Sequence, residues 1–158
     1  MKTHNHQAWS QNVDIDFLDQ MKASSSDKRI SVFQENGHEY FGYLKQGKKH
    51  DKRGKLWFDE FVYQGPFVND IKKGYGTIQS KAKLDDGSAL YNFEGMFQDD
   101  KKEGEGQLII QGVKSQGTAP RVTEKYSGFF SKDQFHGSGV HVNERGDVYD
   151  GEFQYGKK

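Results

Sequence analysis

The stretch Phe93-Glu94-Gly95-Met96-Phe97, followed by Gly104-Glu105-Gly106-Gln107-Leu108, decides the fold, because its pattern returns along the whole chain. The first half is an aromatic residue, a glycine two positions on and an apolar residue two further on. It recurs at Tyr40–Leu44, Tyr63–Phe67, Tyr126–Phe130 and Tyr149–Phe153. Nine residues after the motif glycine, Gly-x-Gly pairs begin at Gly74, Gly104 and Gly137. A pattern with fixed spacing indicates a structural repeat.

Each half of the repeat reads as a β-strand, since its marked positions alternate and therefore lie on one face. The motif glycine is expected to leave room for a ring from the neighbouring hairpin. Leu56, Ile78 and Leu108 hold matching places in the second strands. A lone hairpin is unstable in water, whereas stacked hairpins bury a continuous apolar stripe. The sequence therefore predicts an all-β fold, an elongated, single-layer, twisted array of antiparallel hairpins.

The array is predicted to cover residues 28–158, with units near 40–60, 61–90, 91–125 and 126–148 and a partial unit at 149–158. The motif glycines are separated by 23, 30, 33 and 23 residues, so the longer intervals carry insertions, predicted as loops around 81–88 and 112–120. The first turn should be distorted, because Gly54 lies 12 residues after Gly42, where the pattern expects 11. A capping strand is predicted before the first unit, within 28–37.

The two ends of the chain carry separate expectations. Residues 1–27 form a tail in which 13–21 is a candidate short amphipathic helix, with Ile15, Leu18 and Met21 three apart. The partial unit at the other end offers one strand. That strand either caps the array or is an edge that a partner or a second copy completes, which would give a homodimer.

Composition narrows the function. Lys plus Arg and Asp plus Glu number 23 each, so no global field would hold nucleic acid. The chain has no cysteine and begins without a signal-peptide pattern, which favours the cytoplasm. The sequence contains no catalytic motif, and its histidines lack acidic or thiol partners at ligand spacing. The Gly-x-Gly pairs lack the following helix of a phosphate loop. We therefore expect no enzyme activity, no cofactor and no metal.

Several of these residues resemble a known family of repeats. The aromatic-x-Gly-x-Phe strands, the Gly-Lys-Lys turns at 47–49 and 156–158 and the His-Gly-x-Gly at 136–139 are similar to the MORN (membrane occupation and recognition nexus) repeat. The resemblance covers roughly residues 37–158. It implies a non-enzymatic protein-binding scaffold, a subunit of a larger assembly that is ciliary, axonemal or otherwise cytoskeletal. It also leaves open a peripheral tether to acidic phospholipid, or a regulatory module of a separate enzyme.

Two sets of residues are candidates for contacting a protein partner, in the form of an extended or helical segment. The first contains aromatic residues one position off the predicted core alternation: Tyr43, Trp57, Tyr75 and Phe129. The second is Val140 and Val142, because His141 occupies the place of Ile78 and Leu108 and leaves the valines on the opposite face. That exchange predicts either an apolar contact surface or a local bulge that restores the register.

Lysine pairs recur at the predicted hairpin tips and are candidates for contacting an anionic surface. The candidates are Lys48, Lys49, Lys72, Lys73, Lys101 and Lys102. Aligned along one edge, they could meet acidic lipid or an acidic protein. The competing interpretation is that the lysines are ordinary solvated turn residues, and Lys132-Asp133-Gln134 interrupts the series in the fourth unit.

Overall fold

A computed structural model describes residues 29–81, 89–112 and 121–158, and within these ranges the chain is all-β without a helix. The strands are β1 (Ile30–Phe33), β2 (Glu39–Gly42), β3 (Leu44–Lys45), β4 (Lys48–Lys49), β5 (Asp51–Phe58), β6 (Phe61–Val68), β7 (Ile71–Lys72), β8 (Gly74–Ser80), β9 (Leu90–Gln98), β10 (Lys101–Gly112), β11 (Arg121–Ser131), β12 (Gln134–Val142) and β13 (Val148–Phe153). The predicted helix at 13–21 and most of both insertions lie outside the described residues.

The strands form one open sheet in the order β1-β2-β5-β6-β8-β9-β10-β11-β12-β13, and every pair is antiparallel. The short β7 extends the pairing along β6. This order confirms the single-layer array of hairpins. The expectation of a distorted first turn was wrong, because Gln46 and Gly47 have the same positive φ as the other hairpin tips. The extra residue of this unit lies after the turn, where the register of β5 on β6 shifts between Asp51 and Gly54, and β3 and β4 pair in a separate two-stranded sheet. The strand predicted before the first unit is β1, which pairs with β2.

One face of the sheet carries the core and is called the ladder face. Its aromatic rings pack edge to face in an unbroken series, with centroids 5.1–5.4 Å apart. The series runs through Tyr40, Phe67, Tyr63, Phe97, Phe93, Phe130, Tyr126, Phe153 and Tyr149. Edge-to-face geometry matches the quadrupoles of neighbouring rings and adds to the burial of their apolar area. The ladder gives a single-layer sheet a hydrophobic core.

Glycines let the rings lie flat on the sheet. A Cβ built on Gly76 would lie 2.9 Å from Cε2 of Tyr63, and one on Gly65 would lie 2.8 Å from Cζ of the same ring. Each motif glycine is thus covered by the aromatic residue two positions earlier in its own strand. The expectation of a ring from the neighbouring hairpin was wrong. The reason is that a ring leaning along its own strand reaches both its own glycine and the glycine paired with it on the next strand.

Hydrogen bonds at the hairpin tips connect each unit to the one before it. Asp70, Asp100 and Asp133 are the second residues of their turns, all with positive φ. Each Asp accepts a hydrogen bond from a backbone N–H of the preceding hairpin, at Lys49, Lys72 and Lys102 respectively, over 2.8–2.9 Å. Each also returns a backbone N–H to the carbonyl of that lysine. We call this arrangement the Asp–Lys clasp.

The fourth unit replaces the clasp with an aromatic contact. Phe135 stands where the other units have the clasped lysine, and its ring stacks on Tyr126 with centroids 3.8 Å apart. The next tip has Gly156 where the others have Asp, and its N–H donates to the Phe135 carbonyl over 2.9 Å. At this position of the array, phenylalanine and glycine therefore together replace the lysine and aspartate of the other units.

Candidate functional site

The residues between the ladder positions point to the opposite surface, called the open face. Along β8 to β12 its exposed apolar residues include Tyr75, Met96, Phe129 and Val140. Tyr75 is 57% exposed and Phe129 is 45% exposed. Large apolar side chains exposed on a sheet face are a common mark of a contact surface, whereas the ladder rings are already covered.

A groove with a volume of about 440 Å³ runs across the open face. Tyr75 lies at one end on β8 and Phe129 at the other end on β11. Between them the lining is polar and comes from β9, β10 and β11: Glu94, Glu105, Gly106, Gln107, Ser127 and Gly128. The groove therefore joins two rings across several strands and places two carboxylates between them.

The strand register builds this groove. Gln107 on β10 pairs with Glu94 on one side and with Ser127 on the other, which makes one row of side chains across the sheet. Glu105 pairs with Phe129 in the next row. The pairing of β10 with β9 shifts between Lys102 and Gly106. Beside the groove Tyr75 pairs with Met96.

The electrostatics of the groove are negative. The Tyr75 hydroxyl donates a hydrogen bond to Oε1 of Glu94, and this bond raises the pKa of the phenol. The phenol therefore stays protonated and holds the carboxylate beside the ring. Glu105 is exposed, and its side chain makes no hydrogen bond or ion pair with any described residue. The lining includes neither lysine nor arginine.

The structure does not gather all four aromatic candidates into one site. Tyr75 and Phe129 share the groove, but Tyr43 and Trp57 lie apart from it. The half-buried Tyr43 follows β2, where the Arg29 guanidinium lies 5.3 Å from its ring centroid. Trp57 is half-buried on β5 beneath the ammonium of Lys55, 4.9 Å from the ring centroid.

The fourth hairpin keeps the common register. His141 pairs with Tyr126 as Leu108 pairs with Phe93, so Val140 and Val142 point to the open face, as the alternation predicted. Val140 is exposed and Val142 half-buried. A bulge does not restore the register at His141. The shift lies earlier, between Gly128 and Phe129, and similar shifts occur within the third hairpin and in the pairing of β5 with β6.

The lysine candidates divide into two groups. Lys48, Lys73 and Lys101 are exposed. Lys49, Lys72 and Lys102 are half-buried members of the Asp–Lys clasp. The Lys72 ammonium lies 5.3 Å from the Phe58 ring centroid, and burial lowers its pKa despite the nearby Asp100. Lys72 and Lys102 cover ladder rings, with their ammonium groups 5.6 Å from the Tyr63 ring centroid and 5.3 Å from the Phe93 ring centroid.

The described ranges give less support to a metal site or to a membrane-spanning helix. No group of three or more His, Asp or Glu side chains there could hold a metal ion. His141 lies on the ladder face, with Nε2 3.1 Å from a carboxylate oxygen of Glu124. No helix in the part of the chain that the structure describes is long and apolar enough to cross a membrane.

Sequence reasoning missed the groove carboxylates and the clasp. The clasp had a readable signal, because aspartate stands five residues after three motif glycines, at Asp70, Asp100 and Asp133. Glu94 and Glu105 each precede a glycine of the repeat. Their meeting depends on the register of three strands.

The same strands carry the family relationship. The MORN repeat family matches residues 63–81, 93–110 and 126–148, which hold all the residues that line the groove. The chain is a MORN-repeat protein. The unmatched first hairpin is the unit with the extra residue.

The MORN array also resembles part of a larger protein. Alsin from Rattus norvegicus is 30% identical to it and alsin from Homo sapiens 28%, in alignments covering 75% of this chain. The chain spans about a tenth of the length of these relatives, since each alignment covers 10% of alsin. MORN repeats are non-catalytic modules that bind membranes or proteins.

Proposed function

We propose that this chain is a non-enzymatic scaffold whose open face binds a protein partner within a larger assembly. The groove between Tyr75 and Phe129 is the centre of that surface. A location in the cytoplasm is part of the proposal, and its placement at a ciliary, axonemal or other cytoskeletal structure comes from the resemblance of the repeats alone. Tyr43, Trp57, Val140 and Val142 stay predicted contacts outside the groove.

The observation that carries the proposal is the contrast between the two faces. On the ladder face, the aromatic rings pack edge to face against one another, lie against the glycines of the sheet and are covered by lysine side chains. The open face leaves Tyr75, Met96 and Phe129 exposed around a groove. Aromatic side chains provide large contact areas at low cost in conformational entropy and are enriched where proteins meet.

A pull-down from native cell extract tests the proposal. The tagged chain is compared with a double variant, Tyr75→Ala with Phe129→Ala, and captured proteins are identified by mass spectrometry. Both rings are exposed, so the circular dichroism spectrum should stay that of the wild type. We expect the variant to lose the partner.

A matched control removes apolar area elsewhere. Val68 and Ile71 pair at a hairpin tip and are 39% and 38% exposed. The double variant Val68→Ala with Ile71→Ala should retain the partner. Equal capture by both variants would show that the groove is not the centre of the binding surface.

The lysine edge is the less favoured surface for binding a membrane, because three of its six candidates are half-buried clasp residues. Among the exposed lysines, Lys101 directly follows Asp99 and Asp100 in the sequence. Flotation with vesicles of acidic phospholipid tests this alternative directly. Salt-sensitive binding that disappears when the three exposed lysines become glutamine would favour the tether over the scaffold.

A further inference from the structure

Building on the proposed function, we infer that the groove binds an extended segment of the partner, with a lysine or arginine side chain lying between Glu94 and Glu105. This inference adds the chemistry of the partner to the location of the surface.

Charge complementarity carries the first step. The whole chain has equal numbers of acidic and basic residues, yet the groove lining has two carboxylates and no cation. Glu105 has no partner among the described residues, and Glu94 accepts only the Tyr75 hydroxyl. A cation placed between them would complete an ion pair on each side. The rings at the groove ends also favour a cation, through their negatively charged faces.

The strand spacing supplies the second step. Tyr75 and Phe129 are three strand spacings apart, on the order of 14 Å in a sheet. In an extended peptide, side chains four residues apart point the same way and are separated by about 13 Å. Such a segment crossing the strands would place its first and fifth side chains on the two rings. Its third side chain would then lie between the glutamates.

A segment of this same chain is a poor occupant. Residues 13–21 have the apolar side chains to contact the rings, but they carry Asp14, Asp16 and Asp19 and no basic residue. Two groove carboxylates would repel that segment. A basic segment of another protein satisfies both the rings and the carboxylates.

Nuclear magnetic resonance titration of the full chain tests the inference. The probe is a short capped peptide, GSLSKSLSG, in which the two leucines match the rings and the lysine matches the carboxylates. A second peptide carries norleucine, an uncharged side chain of similar length, instead of lysine. We expect the lysine peptide to shift the amide signals of Glu94, Glu105 and Phe129. It should also bind about tenfold more tightly than the norleucine peptide.

Charge variants localise the effect. The double variant Glu94→Gln with Glu105→Gln should weaken binding of the lysine peptide by about tenfold, and binding should also weaken as ionic strength rises. Glu35→Gln with Glu144→Gln is the matched control, because both residues are exposed and their side chains make no bond with described residues. The control should bind like the wild type.

The outcomes separate this inference from the function on which it rests. Equal binding of the two peptides, no shift at the groove or equal weakening by both charge variants would overturn the inference. A third outcome is that the Tyr75 and Phe129 variant loses the partner from extract while the Glu94 and Glu105 variant keeps it. That result would support the proposed scaffold function and contradict the inferred basic segment.

Discussion

Replacing Asp51 tests how the irregular first hairpin is stabilised. Asp51 is 6% exposed and is the buried charged residue of the described core. Its carboxylate accepts hydrogen bonds from Nε of Arg29 at 3.0 Å, from the Tyr43 N–H at 3.0 Å and from the Arg53 N–H at 2.8 Å. Asp51 therefore connects three parts of the first unit. These are Arg29 before the capping strand β1, Tyr43 between β2 and β3, and Arg53 in the segment that holds the extra residue.

The magnitude follows from what Asp51→Ala leaves behind. The N–H groups of Tyr43 and Arg53 lose their acceptor, at a cost of about 1–3 kcal/mol each when water cannot reach them. Arg29 is partly exposed, so its guanidinium can be hydrated again. We expect Asp51→Ala to lower the free energy of unfolding by about 2–4 kcal/mol. Asp51→Asn keeps an acceptor oxygen and should cost about 1–2 kcal/mol.

The pH dependence has a definite sign. Burial alone would raise the pKa of the Asp51 carboxyl, but the hydrogen bonds from Arg53, Arg29 and Tyr43 outweigh it and hold the pKa below its usual 3.8. A lowered pKa means that this stabilisation is complete above the unfolded value and is lost as pH falls through the folded value. The difference in stability between wild type and Asp51→Asn should therefore shrink below about pH 4.

Urea unfolding measures both effects. With Trp9, the other tryptophan of the chain, replaced by phenylalanine in every variant, the fluorescence of Trp57 on the same strand as Asp51 reports the transition. Circular dichroism reports the whole sheet. Asp150→Ala is the control, since Asp150 is exposed and its side chain bonds to no described residue. If Asp51→Ala unfolds within about 0.5 kcal/mol of the control, the buried carboxylate is not the support described here.

Four further substitutions, one of them a comparison variant, test the ladder and the clasp. Gly95→Ala should destabilise the fold by about 1–3 kcal/mol, because its Cβ would lie 2.6 Å from Cα of Gly106. In Gly112→Ala the new Cβ would meet only a side-chain methyl, at 2.8 Å, so thermal unfolding should show a smaller loss of stability. Tyr63→Phe removes the hydroxyl that donates to the Pro66 carbonyl at 3.0 Å and should cost about 1 kcal/mol in urea. Asp100→Ala opens one clasp and should cost about 0.5–1.5 kcal/mol, with faster amide hydrogen exchange at the adjoining tips; unchanged exchange would contradict the clasp.

Much of the fold could be read from the sequence because side-chain alternation and repeat spacing are local properties. The spacing of the motif glycines gave the hairpins, and the alternation gave the correct face for Leu56, Leu108 and the valines of the fourth unit. The alternation could not say which ring covers a glycine, since that depends on how Tyr63 leans along its own strand.

The groove was harder to predict, because it depends on contacts between strands that are distant in sequence. Tyr75 and Phe129 were chosen as outward aromatics, but so were Tyr43 and Trp57, and the alternation alone does not distinguish them. Their separation follows from strand order and from the row that each occupies. Glu94 and Glu105 also needed the register across β9, β10 and β11 before they could be placed together.

Site-specific photo-crosslinking in cells tests the central claim most directly. A benzoylphenylalanine replaces Phe129 in the groove, and in a second variant it replaces Val68 at a hairpin tip, a position of similar exposure. We predict that illumination attaches a partner protein at position 129 and not at position 68. No attached partner at position 129, or the same partners at both positions, would contradict a binding surface centred on the groove.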